Sequence, residues 1–148
     1  MTYGGSESKT TVIRNGVDLG FFVDQPCDDA FADSLGVKGK FVSAYVGTHG
    51  MAHGLDVILD AAEILRDRED ISGSHGPPWE SIHSLSRQDR YAFPRRTVGT
   101  RILGVRGESR EIVEKAGSGI SIEPENAREL AAAITALADA PDQCAAMG

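Results

Sequence analysis

The stretch Phe41-Val42-Ser43-Ala44-Tyr45-Val46-Gly47-Thr48-His49-Gly50-Met51-Ala52-His53-Gly54-Leu55 decides the fold. Phe41 to Val46 is a short, β-favouring run, and the eight residues that follow hold three glycines. After them, apolar residues recur at a helical period. The segment therefore reads as strand, glycine loop and helix. Such a loop lets backbone N–H groups approach an anion at the positive end of a helix, which makes it a candidate phosphate or pyrophosphate cradle. Gly47, Gly50 and Gly54 do not fit G-x-G-x-x-G, and no G-K-[ST] follows. On pattern alone, a plain tight turn is an equally good account.

Three further stretches matter when read with this one: Val12-Ile13-Arg14-Asn15-Gly16-Val17-Asp18, Gly104-Val105-Arg106-Gly107-Glu108-Ser109-Arg110-Glu111-Ile112-Val113, and Glu123-Pro124-Glu125-Asn126. Taken in order with Tyr45 to Leu55, they resemble the donor-binding half of family 4 glycosyltransferases of the GT-B fold. The likeness is greatest to the branch that builds bacterial surface polysaccharides such as colanic acid or O-antigen. It covers roughly residues 9–72 and 102–148, and the order of four motifs makes it specific. The resemblance implies a Rossmann-like parallel sheet with crossover helices. It also implies transfer of a sugar, with retention, from a nucleotide-sugar to a glycan or lipid-linked acceptor, with no obligatory metal or other cofactor.

In many such relatives an arginine after the first loop glycine and a lysine beside the last one hold the donor diphosphate. The matching positions here carry Thr48 or His49, and His53. The resemblance thus points to Gly47, Thr48, His49, Gly50, His53 and Gly54 as the diphosphate-binding residues. A neutral imidazole can donate one hydrogen bond to phosphate, and a protonated one adds charge. His53 reads as a phosphate contact because the helix begins beside it, whereas His49 reads equally well as an exposed loop residue. The pair at i, i+4 is a poor metal site, since no further ligand completes it. In relatives the loop at Gly107-Glu108-Ser109 faces the cleft beside the donor. Glu108 is the donor-side candidate there, although neighbouring carboxylates make a solvated face the readier account of it. No catalytic residue is assigned.

Bulk composition is consistent with one soluble domain. The 148 residues suffice for one core and not for the two Rossmann-like domains of a complete GT-B enzyme. A hydrophobic content of 41% with 25% charged residues is ordinary. The net charge of −7 argues against a nucleic-acid partner. No apolar run approaches the ~20 residues of a transmembrane helix, and no signal-peptide core is visible at the N-terminus. The expected location is the cytoplasm, peripheral to the inner membrane where relatives use a lipid-linked acceptor. Cys27 and Cys144 are far apart and read as ordinary reduced thiols.

Along the chain, Thr10 to Ile13 reads as a strand ended by the Asn15-Gly16 turn, and Asp28 to Leu35 as a short helix. After the glycine loop, Leu55, Ile58, Leu59, Ala62 and Leu65 form one apolar stripe, the expected core face of that helix. Ile102 to Val105 reads as a strand, Glu108 to Ala116 as a helix stopped by Gly117, and Ile120 to Ile122 as another strand. Asn126, with Glu129 three residues on, predicts a capped helix whose stripe is Leu130, Ala133, Ile134 and Leu137, ending before Pro141.

Residues 73–101 break the pattern. The segment is turn-rich around Gly76-Pro77-Pro78-Trp79 and lacks periodicity. Five arginines against Glu80 and Asp89 give it +3, which leaves −10 on the rest of a chain whose net charge is −7. The family places roughly eighty residues here, far beyond ordinary loop lengths. They include a pair of glutamates eight positions apart that contact the sugar and the ribose, and no two glutamates of this chain have that spacing. The segment reads as an internal deletion with a shifted reading frame that recovers near Arg101, so Trp79 is expected to be exposed or loosely packed rather than a stacking platform.

The expected organisation is thus 1–72 and 102–148 as two parts of one α/β domain, with 73–101 foreign between them. Three functions are compatible with that organisation. One is a glycosyltransferase that pairs with a separately encoded acceptor domain. Another is a non-catalytic nucleotide-sugar-binding remnant or interaction module. The third is another GT-B enzyme such as a nucleotide-sugar epimerase, for which no acid and base residues are found.

Overall fold

The computed structural model describes residues 11, 29–45, 54–73 and 100–147. The Val12–Asp18 motif, Cys27, Trp79 and all but the ends of 73–101 therefore lie outside the described residues. What is described is a mixed α/β chain built from two strand–helix–strand units. In the first, β1 (Phe41–Ser43) leads to α2 (Leu55–Ile64) and returns to β2 (Ile71–Gly73), after a short α1 (Asp29–Ser34). In the second, β3 (Arg101–Leu103) leads to α3 (Glu108–Ala116) and returns to β4 (Gly119–Ser121). Helices α4 (Ala127–Asp139) and α5 (Pro141–Met147) follow.

Both strand pairs are parallel. Phe41 pairs with Ile71 and Ser43 with Gly73, while Arg101 pairs with Gly119 and Leu103 with Ser121. A parallel return requires a crossover, and α2 and α3 supply one each. Among the described residues the strands form two two-stranded parallel sheets.

Helix α4 joins the two units. It packs against α2 of the first and β3 of the second. Its N-terminus is fixed as the sequence predicts: the Asn126 side chain accepts from Glu129 N–H at 3.1 Å, and the Glu129 carboxylate takes Asn126 Nδ2 and Glu123 N–H, both at 2.8 Å. Asn126 thus caps the helix, and the Glu129 carboxylate ties down the incoming chain. Helix α3 ends as expected at Gly117, in the left-handed region at φ 61°. The Gly117 N–H to Glu114 O and Ser118 N–H to Val113 O bonds complete a Schellman motif.

The core is small and centred on α4. Ala131, Ala133, Ile134 and Leu137 are buried on that helix, joined by Ala61, Val113 and Ile122. Burial of each large aliphatic side chain contributes about 1.5–3 kcal/mol. The expected stripe on α2 requires a correction. Leu59 is 53% exposed, while Ala61, outside the stripe, is 1% exposed. Helix α2 thus packs on α4 with Ala61 as its most buried residue. Leu55, Ile58, Ala62 and Leu65 are half-buried around it.

Candidate functional site

Of the residues assigned to the diphosphate cradle, Gly47, Thr48, His49, Gly50 and His53 lie outside the described residues, and Gly54 is within them. Gly54 is the N-cap of α2, at φ 57° and ψ 41°, with no side-chain cap. Its carbonyl accepts the Val57 N–H at 3.1 Å and so starts the helix. Asp56 lies in the first turn of α2. Its carboxylate complements the positive helix end and repels a second anion brought to the same place.

A glycine also precedes the second crossover helix. Gly107 is the N-cap of α3 at φ 98° and ψ −156°, a combination open essentially to glycine alone. Its carbonyl accepts from Arg110 N–H at 3.0 Å. Glu108 is the first residue of α3 and is exposed, with Glu111 beside it in the first turn. Gly54 and Glu108 thus open crossover helices of different units.

Around Gly107 the structure brings together two of the motifs found in the sequence. Arg106 Nη2 donates to Glu123 Oε2 at 2.7 Å, and Arg110 Nη1 lies 3.4 Å from Glu123 Oε1. Arg110 Nε also donates to Glu114 Oε1 at 2.9 Å. The result is an alternating row Arg106, Glu123, Arg110, Glu114 that runs from the loop before α3 along that helix. The Arg106 hydrogen bond holds the Glu123 carboxyl below its ordinary range, and the Arg110 bond does the same for Glu114. The Arg110 guanidinium is correspondingly held more firmly protonated, chiefly by Glu114. Sequence reading singled out Glu108 in this loop and missed Arg106 and Glu123. The signal available was their membership of two separate motifs with opposite charges.

Two further ties were also missed. Arg68 bonds Asp70 through Nε at 2.8 Å and Nη2 at 2.7 Å, and its Nη2 also reaches Asp139 at 2.7 Å. The Thr100 hydroxyl, at the entry to β3, donates to the Cys144 carbonyl at 2.9 Å and lies 3.3 Å from its Sγ. Cys144 is a half-buried free thiol. Among the described residues no cluster of three or more His, Cys, Asp or Glu could hold a metal ion, and no helix is long and apolar enough to cross a membrane.

No family model, curated protein or solved structure matches the chain.

Proposed function

We propose that this chain is the donor-binding part of a glycosyltransferase resembling family 4 enzymes of the GT-B fold. In that reading it derives from a cytoplasmic enzyme, peripheral to the inner membrane, that moves a sugar from a nucleotide-sugar to a glycan or lipid-linked acceptor. What carries the reading is the order of the motifs. Strand, glycine and helix recur at Gly47–Gly54 and at Gly107, and the Glu123-Pro124 motif returns to the second of these through Arg106. Sugar transfer with retention needs a protein that positions the donor and offsets charge on the departing diphosphate. The loop at 47–54, with Thr48, His49 and His53, has that role, while Glu108 stands on the donor side of the second loop.

By the same reading the chain alone binds without turning over. It lacks the glutamate pair that grips sugar and ribose, and pairing with a separately encoded acceptor domain is the route by which it regains activity. Without that partner it is a nucleotide-sugar-binding remnant. The test is NMR titration of the labelled chain with uridine diphosphate, against uridine as control, alongside a turnover assay with a panel of nucleotide-sugars and lipid-linked acceptors. Shifts at 47–55 with the diphosphate only, and no product above blank, are expected. Shifts that bypass 47–55 would overturn the site, and product formed by the chain alone would overturn the remnant reading.

A further inference from the structure

We draw no further inference here: the strongest candidate, the exposed apolar surface of α2 at Leu59 and Ile64, carries no proposal because nothing in the structure shows what covers it.

Discussion

Arg68 and Asp139 are 71 positions apart in the chain and 2.7 Å apart in space. Arg68 lies in the turn between α2 and β2, and Asp139 is the last residue of α4. Their contact extends the α2–α4 packing with a charged tie at its edge. Asp70 holds the same guanidinium in a fork, so Arg68 is oriented from its own turn before it reaches across. An arginine suits this place because its planar group can serve two carboxylates at once, as a lysine ammonium does less well.

The first prediction concerns acid. Arg68 holds the Asp70 carboxyl at about 2. Unfolded aspartate titrates at about 3.9, so the folded value is depressed and the tie contributes fully above that pH. Its contribution is then lost as pH falls from about 4 toward about 2. Glu114 and Glu123 are lowered as well and add to the loss in the same direction. Urea melts between pH 5 and pH 2.5 should show stability falling over this window. Arg68→Met should flatten part of the fall and lower stability slightly at neutral pH, an effect that added salt shrinks because the groups are near the surface. An unchanged acid limb in Arg68→Met would show that the tie does not persist in solution.

A second prediction isolates the parallel pairing of the second unit. A Cβ added at Gly119 would run into the Arg101 carbonyl and come within 2.9 Å of Val113 Cγ1. Backbone on one side and a buried valine on the other leave little room to relax. Gly119→Ala should therefore cost about 1–3 kcal/mol, the usual range for overpacking. Gly104→Ala is the control, since its Cβ would sit 3.6 Å from Ile122 Cγ1, an ordinary contact. Chemical denaturation of both variants decides the matter. Equal effects would mean that β3 and β4 are not in the register described.

A third prediction compares two leucines. Leu137 is 2% exposed, and Leu137→Ala should cost about 2–5 kcal/mol. Leu59 is 53% exposed, and Leu59→Ala should change stability by no more than about 0.5 kcal/mol. A large loss at Leu59 would restore it to the core face.

These two residues also show what the sequence makes legible. Helix α4 is readable because Asn126 and Glu129 mark its start and its large apolar residues, Leu130, Ile134 and Leu137, fall on one face. In α2 the large apolar residues Leu55, Val57, Ile58, Leu59 and Ile64 spread over rather more than half of the circumference, opposite Asp56, Asp60 and Glu63. Spacing over so broad an arc does not say which position is most buried. The approach of α4 does so, at Ala61, and that is tertiary information. Strand β2 was missed because three residues ending in Gly73 resemble a turn. Helix α5 was missed because Pro141 reads as a stop, although proline is also favoured in the first turn of a helix. Gly107 and Glu108 open α3, where the sequence starts that helix. The pairing of Arg106 with Glu123 depends on how β4 returns beside β3, which no local pattern encodes.

The last prediction concerns how weakly and how selectively the chain binds a diphosphate. At the N-terminus of α2 an exposed anion gains roughly 0.3–1 kcal/mol from the helix end. Asp56 in the first turn opposes it. A carboxylate bonding the ribose would supply orientation, and on the proposed reading the sequence holds no glutamate pair to provide it. Affinity should therefore be weak, should differ little between uridine and guanosine diphosphates, and should fall with added salt. If His53 contacts the phosphate, its protonation adds a charge-assisted bond, so binding should tighten as pH falls through about 6.5. His53→Ala should remove that pH dependence and leave the salt dependence in place. Titrations at pH 5.5 and pH 7.5, with and without the substitution, measure this. Pronounced preference for one base, or a pH dependence that survives His53→Ala, would place recognition elsewhere than the loop before Gly54.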